Sequence, residues 1–398
     1  MTTSTGGPSR TDGLWDLAIV GAGPAGSAAA LGALAARPAT RVVLLDRADF
    51  PRDKACGDGI APHVLDVLAE VGVSGVLDDW MPVRRLHLRH QDASVDRSMR
   101  RPAYVVPRTV FDSRLLDAAV QAGAVLRRHR VRRLRAESDR LIIDDVAEAK
   151  VVIGADGAYS AVRNSLGWPA SGRRALALRG YAPTPSDRAG QQVIAFAGGQ
   201  QPAYAWSFDR GDGVSNVGYG ELLTSRRPPP GRRYILQRLE HLLPGSVRDA
   251  GDWLGHHLPL SSWRWRHPTG RVLLAGDAVG LINPLTGEGI YHAVATGVSA
   301  GQVAVAALGE NDAAGAGAQY RDSVRCMLGS HLRHTTAAAR LVSLPGMAGA
   351  GVRAAGHEQR VFDDLVELGL GRGTLPPSTV AAVLAARAGS LAPSPRSP

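Results

Sequence analysis

The residues of this chain with the clearest chemical potential are glycines and acids set at the ends of apolar runs. Asp16 to Val20 leads into Gly21-Ala22-Gly23-Pro24-Ala25-Gly26, a G-x-G-x-x-G spacing, and an alanine-rich, helix-favouring segment follows. In that spacing Gly21 permits a tight turn, Gly23 lets the backbone approach a pyrophosphate, and Gly26 lets the helix pack close to its strand. Pro24 and Ala25 open that helix, whose unpaired N–H groups and positive dipole end face the phosphates. A second apolar run, Val42 to Leu45, ends at Asp46, twenty residues beyond Gly26, with Arg47 beside it. A carboxylate at that distance can grip a ribose hydroxyl, whereas a glycine turn that binds nothing has no use for one.

The same grammar recurs twice. Ala149 to Ile153 precedes Gly154-Ala155-Asp156-Gly157, and Arg271 to Ala275 precedes Gly276-Asp277 and a turn rich in proline and glycine, Pro284 to Ile290. Asp156 has two readings, a cap for the helix that follows and a contact to a bound cofactor. Asp277, at a strand end, can accept from a ribityl or ribose hydroxyl. Gly287 and Gly289 remove side chains where a flat ring would touch backbone, just before Ile290. Two further stretches carry reactive or aromatic groups: Pro51 to Gly59 (PRDKACGDG), with Cys56, Gly57 and Gly59, and Tyr204-Ala205-Trp206-Ser207-Phe208-Asp209. On a strand, Tyr204, Trp206 and Phe208 share one face, suited to a substrate tunnel or to core packing.

These residues need strands that end together and helices that begin there. In 398 residues there is room for two domains and a sizeable core. Residues 14–80, 103–170 and 270–310 read as a split nucleotide-binding domain with a parallel sheet and helices. Residues 81–102 and 171–269 read as an antiparallel-sheet substrate domain. Within these, the segments from Val125 to Leu134 and from Leu141 to Ile143 read as strands, and a long helix is predicted from about Glu288 to Leu308. Trp206, Trp253, Trp263 and Trp265 fall in or at the edge of the second domain, an aromatic-rich sheet that packs as core or, beside a cofactor domain, holds a large apolar substrate. Residues 311–390 read as a helical C-terminal region, helical over 317–345 and small and apolar around Pro345 to Gly356. Residues 1–13 and 391–398 read as disordered ends.

Composition narrows the classes. The formal net charge is +10, with Lys54 and Lys150 the only lysines. The arginines are scattered and aromatic residues are sparse around them, which argues against nucleic acid and leaves an acidic substrate or an anionic lipid surface open. No uninterrupted apolar run reaches the roughly 18 residues of a membrane span, and Met1 to Asp12 lacks the apolar core of a secretory signal. A cytoplasmic location is expected, with peripheral membrane contact open. The two cysteines, Cys56 and Cys326, fit no metal or disulfide framework. Oligomeric state is not legible.

Taken in order, these motifs resemble the flavoprotein hydroxylase superfamily of para-hydroxybenzoate hydroxylase-like proteins, and within it the geranylgeranyl reductase branch. PRDKACGDG resembles the cysteine-bearing loop after the second strand of those reductases. Tyr204 to Asp209 resembles their Y-x-W-x-F-P motif with Asp209 in place of proline, a change expected to alter the pocket, and Asn216 to Gly220 also fits. The resemblance covers residues 15–310. It implies an α/β fold, a Rossmann-like FAD-binding domain interrupted by an antiparallel-sheet substrate domain. It implies FAD held by the residues above together with Arg108, heading a helix beneath the cofactor, and Val131, offering backbone to the adenine. The helix after Gly289 would turn its dipole toward the flavin and favour negative charge there. Cys56 would lie near the flavin's reactive face, as proton source, pocket wall or small buried hydrophobe.

Two chemistries share this grammar. A reductase would move hydride from reduced flavin to a C=C bond of an isoprenoid or similar apolar substrate. A monooxygenase would hydroxylate or epoxidise an aromatic or isoprenoid metabolite. CGDG together with Y-x-W-x-F favours the first. A halogenase is disfavoured, because its W-x-W-x-I-P motif is replaced by Tyr204, Phe208 and Asp209. The electron donor is NAD(P)H acting transiently at the flavin, or a ferredoxin-like carrier, as no second G-x-G-x-x-G domain is present.

Overall fold

In the computed structural model, residues 13–170, 172–199, 201–224 and 228–389 are described. The ends expected to be disordered, 1–13 and 391–398, lie outside them except for Gly13. The chain opens with β1 (Trp15–Val20), α1 (Pro24–Ala36) and β2 (Val42–Asp46). Leu17, Ala18, Ile19, Val43 and Leu44 are fully buried, as expected of central parallel strands covered on both faces. Next come β3 (Gly59–Ile60), α2 (Pro62–Glu70), β4 (Val83–His90), β5 (Ala93–Val105), α3 (Arg108–Gln121), β6 (Val125–Arg128), β7 (Leu134–Ala136), β8 (Leu141–Ile143), β9 (Ala147–Gly154) and α4 (Ala161–Ser165).

The expected strand from Val125 to Leu134 is therefore broken. Asp144 accepts the backbone N–H groups of Arg132 and Arg133 at 2.7 and 2.8 Å, so these donors serve a carboxylate instead of a strand ladder. Val131 lies in the loop this creates.

The second half supplies β10 (Arg174–Pro183), β11 (Gln191–Phe196), β12 (Ala203–Asp209), β13 (Val214–Leu222), α5 (Arg232–Leu242), β14 (Gly251–Pro259), β15 (Val272–Leu274), α6 (Ile290–Gly309), α7 (Ala316–Val342), α8 (Met347–His357), α9 (Gln359–Leu370) and α10 (Pro377–Gly389). One sheet runs β6-β2-β1-β9-β8-β7, with β15 joining β9 at Val152–Gly154, where β8 has already left it. Its β6, β2, β1, β9 and β15 pair in parallel. The other sheet runs β14-β10-β13-β12-β11-β4-β5-β3, antiparallel except where β11 meets β4. The second sheet thus comes from two segments, β3–β5 and β10–β14, which alternate along the chain with the strands of the first.

Helices α1 and α6 pack almost backbone to backbone. A Cβ at Gly297 would sit 2.3 Å from Ala25 O, and one at Gly301 would sit 2.0 Å from Ala29 O. At 20 residues α6 is long and apolar enough to cross a membrane by composition, yet it is mostly buried in this packing. It begins at Ile290, later than the predicted Glu288, because Gly287 takes a left-handed φ of 73° and Gly289 is the cap. The small apolar stretch around Pro345–Gly356 is largely helix α8, which follows a left-handed Gly346. Helices α8 and α9 are tied to β5: Arg97 Nη2 donates to Gly356 O at 2.6 Å, Arg100 Nε donates to Asp363 at 2.8 Å and Gln359 Nε2 donates to Ser98 O at 3.1 Å.

Candidate functional site

A single cavity of about 1070 Å³ runs from the end of β1, across the face of the second sheet, to the C-terminal helices. Gly21, Gly23, Pro24, Ala25, Asp46, Arg47, Cys56, Gly57, Gly59, Arg108, Val131, Asp156, Tyr204, Trp206, Phe208, Asp277, Pro284, Gly287, Gly289 and Ile290 all line it. Gly26 does not. A Cβ there would fall 1.7 Å from Gly21 O, so this glycine seats α1 on its own turn.

The nucleotide end is shaped by backbone. Gly21 has φ 97°, and a Cβ on it would lie 2.4 Å from Ala155 O. Gly23 caps α1 without a side-chain hydrogen bond, leaving first-turn N–H groups for an anion. Asp46 accepts from Ala22 N–H at 2.7 Å and from Ala48 N–H at 2.9 Å, and its carboxylate retains lone pairs for a hydroxyl. Asp156 accepts from Ala161 N–H and Val162 N–H at 2.6 and 3.2 Å, which is the capping role. Its Oδ1 is buried and finds no partner, and burial raises its pKa. An open anion cradle, a placed carboxylate and an orphaned buried oxygen together fit FAD.

Arg108 is buried and pairs with Asp112 one turn on, at 2.6 and 2.8 Å. Burial disfavours its charge, yet the Asp112 carboxylate more than offsets this and raises its pKa. Arg52 reaches the glycine turn. Its Nη2 would lie 2.8 Å from a Cβ at Gly23, and it also pairs with Asp112, at 3.2 Å. Lys54 pairs with Asp277 at 3.1 Å. Burial pushes the Asp277 carboxyl up, but Lys54 pulls it further down, leaving it below the usual range. Nearby His256 is pushed down to about 4, first by burial and then by Lys54.

The far end depends on side chains. Tyr204, Trp206 and Phe208 line the cavity in sequence, with ring centroids 6.0 and 6.5 Å apart. Ala203 and Ala205, on the other face, join the core under α5. Trp206 Nε1 donates to Asn216 Oδ1 at 2.8 Å. Asn216 Nδ2 in turn donates to Cys56 O at 2.9 Å and to Asp58 Oδ2 at 2.8 Å. Tyr181 OH donates to the same Asp58 oxygen at 2.6 Å. This buried relay fastens the cysteine loop to the aromatic face. A Cβ at Gly57 would lie 3.5 Å from the Phe208 ring and 3.6 Å from Trp206 Nε1. Burial pushes the Cys56 thiol up to about 11, against the pull of Arg108.

Two expectations change here. Asp209 does not line the cavity. It closes β12 on the opposite side from Trp206, accepting from Gly190 N–H at 2.6 Å and from Thr184 and Gly211 at 3.1 and 3.0 Å. The tryptophans do not gather at the site either: Trp253 packs under the sheet beside α5, Trp263 is exposed, and Trp265 joins the core beneath α6.

The turn before α6 is held from a distance. Asn283 Nδ2 donates to Leu368 O at 3.0 Å and Thr286 Oγ1 donates to Gly369 O at 2.8 Å, both at the end of α9. Tyr204 OH donates to Thr286 O. Beyond the aromatic face the cavity continues between Leu341, Val352, Leu365, Leu370, Val380 and Val383. Sequence reasoning missed Arg52, Asp58, Tyr181, Glu288 and these helical residues. A signal existed only for Arg52, Asp58 and Glu288, which stand inside motifs already singled out.

Residues 15–195 match the model of the FAD binding domain family. The menaquinone reductase of Mycolicibacterium smegmatis is 36% identical over 311 residues, covering 71% of this chain and 74% of its own length. Digeranylgeranylglycerophospholipid reductase 1 of Methanopyrus kandleri is 31% identical over 325 residues, covering 75% of this chain and 82% of its own. Among solved structures, a geranylgeranyl bacteriochlorophyll reductase-like protein of Thermoplasma acidophilum superposes with a TM-score of 0.70 at 20% identity. It covers 95% of this chain and 96% of its own, a likeness of fold.

Proposed function

From a chain that belongs to the geranylgeranyl reductase family of FAD-dependent oxidoreductases, we propose an enzyme that saturates C=C bonds in an isoprenoid chain of a lipid or prenylated quinone. The observation that carries this reading is the shape of the cavity. Its polar nucleotide end passes without interruption into an apolar passage walled by Trp206, Phe208 and the C-terminal helices. The names of the Mycolicibacterium and Methanopyrus relatives both denote compounds with isoprenoid chains.

Bound FAD supplies, once reduced, a hydride for an unactivated alkene. The residues of the chain do the rest. The Gly21–Gly26 turn, Asp46, Asp156 and Asp277 hold the cofactor, with Arg52 lending positive charge at the first turn of α1. Tyr204, Trp206 and Phe208 exclude water and lay the chain flat along the sheet, and Asn216 keeps the indole in place. Cys56, a protonated thiol at neutral pH, forms the wall opposite. An isoprenoid lipid also brings the protein to a membrane surface.

The test is to reduce the FAD-loaded protein anaerobically with dithionite and offer a geranylgeranyl lipid or menaquinone, admitting O₂ to a parallel sample. Saturated product formed without oxygen supports the reading. Product carrying ¹⁸O from labelled O₂, with no saturation in the anaerobic arm, overturns it in favour of a monooxygenase.

A further inference from the structure

We infer that Glu288 is the catalytic acid of the cavity, whose carboxyl group delivers the proton that completes saturation of the double bond. This rests on the reductase reading above. Glu288 stands between Gly287 and Gly289, lines the cavity, and belongs to the turn that Tyr204 touches through Thr286. A Cβ at Gly287 would lie 3.4 Å from the Tyr204 hydroxyl. Oε1 of Glu288 accepts Tyr291 N–H at 2.9 Å, which fixes the carboxyl at the mouth of α6 instead of leaving it to swing.

The other acids of the cavity are engaged or lie elsewhere in it. Asp277 is ion-paired with Lys54 and Asp53 with Arg179, Glu221 accepts the Tyr219 hydroxyl at 2.8 Å, and Asp46 and Asp156 belong to the nucleotide end. Cys56, pushed up to about 11, and Tyr204, raised by burial, hold their protons too tightly for efficient transfer near neutrality. His256, pushed down to about 4, has no proton to spare. Burial pushes Glu288 up to about 7, partly opposed by the Tyr291 and Ile290 N–H groups and by Arg108, and reinforced by Asp277. The charged and titratable groups facing it are thus Arg108 from α3, Asp277 from the turn after β15, Tyr204 from β12 and Cys56 from the loop before β3. An acid poised near the working pH is the most effective donor.

The step balances. With FAD bound and reduced, the cofactor would supply one alkene carbon with hydride and its electron pair. The π pair of the double bond takes the proton of the Glu288 O–H at the other carbon, and the O–H electrons stay on the carboxylate. The substrate gains two electrons that the cofactor loses, and water returns a proton to Glu288.

The decisive comparison is Glu288→Gln holoenzyme against wild type, with dithionite as reductant and geranylgeraniol or menaquinone in detergent as probe. The expected result is a kcat lowered by about 100-fold or more, with KM and FAD affinity within about twofold. The wild-type rate should fall as pH rises through about 7, and the variant's should not. Infrared spectroscopy gives a reading without turnover: a protonated carboxyl band lost with a midpoint near pH 7 in wild type and absent from the variant. Glu288→Asp, which keeps the acid but withdraws it by one methylene, should recover part of the rate and carries the same pH test if the glutamine variant does not fold. A variant with near-wild-type kcat and an unchanged pH limb overturns the inference alone. Wild type that saturates neither probe overturns the reductase reading and this inference with it, even where the infrared band titrates as expected.

Discussion

Around Gly21 and Asp46 the cavity is framed by backbone N–H groups from neighbouring turns, such as Ala22 on Asp46 across 24 residues. Around Cys56 and Trp206 it is framed by side chains reaching across the fold, such as Asn216 to Cys56 across 160 residues. A backbone cradle tolerates any side chain that does not fill it and fails at once when a Cβ does. A side-chain relay fails by degrees, one unpaired group at a time. The first kind of site suits a cofactor with constant phosphates. The second can be retuned for the molecule that varies, the substrate.

Variants that strike one end and spare the other break this comparison if it is wrong. Gly21→Ala should have the largest effect on cofactor binding, because its φ of 97° and the carbonyl of Ala155 at 2.4 Å leave no room for a methyl group. FAD affinity, followed by flavin fluorescence, should fall on the order of 100-fold or more, roughly 3 kcal/mol. Near-normal flavin retention would mean that the turn can shift. Trp206→Ala removes a buried indole that crowds the space over Gly218 and should destabilise the protein by about 3–5 kcal/mol in urea titrations. FAD affinity should change little, and a loss of flavin comparable to that of Gly21→Ala would show that the two ends are not separable.

Asp58→Asn sharpens the comparison most gently, since the amide oxygen can still accept from Tyr181 and Asn216. Burial pushes the Asp58 carboxyl up to about 6, above its ordinary 3.8. The folded state therefore holds this proton more tightly than the unfolded chain does. Its contribution to stability is fully present below about pH 4 and is lost as pH rises through 6, a loss of up to about 3 kcal/mol. The variant should match wild type near pH 4 and melt higher at pH 7. A melting difference that stays constant across that window would contradict the assignment.

The contrast also explains what the sequence could disclose. Gly21, Gly23, Gly26 and Asp46 are legible because spacing along a short stretch fixes their relation in space. So is the shared face of Tyr204, Trp206 and Phe208, which follows from strand alternation alone. Asn216 and Asp58 sit in recognisable motifs, but their pairing exists only once β13 and the cysteine loop meet. Glu288 does not stand out from its glycine neighbours in sequence, since a carboxyl's acidity is set by its surroundings and not by its place in a motif. The motif sets Asp209 next to the pocket aromatics, whereas strand parity turns it to the opposite face. The apolar passage drew on helices whose apolar residues look in sequence like any core.

The hydrogen bonds from Asn283 and Thr286 to the last carbonyls of α9 bear on how this chain can be divided. Residues 15–195 match a domain family by themselves, and both sheets are complete by β15. Cutting after α7 would nonetheless leave the Asn283 amide and the Thr286 hydroxyl without acceptors and slacken the turn between Gly287 and Gly289. The smallest piece able to keep that turn in shape therefore extends to Gly369, and the last helices belong to the catalytic unit instead of forming a detachable appendage.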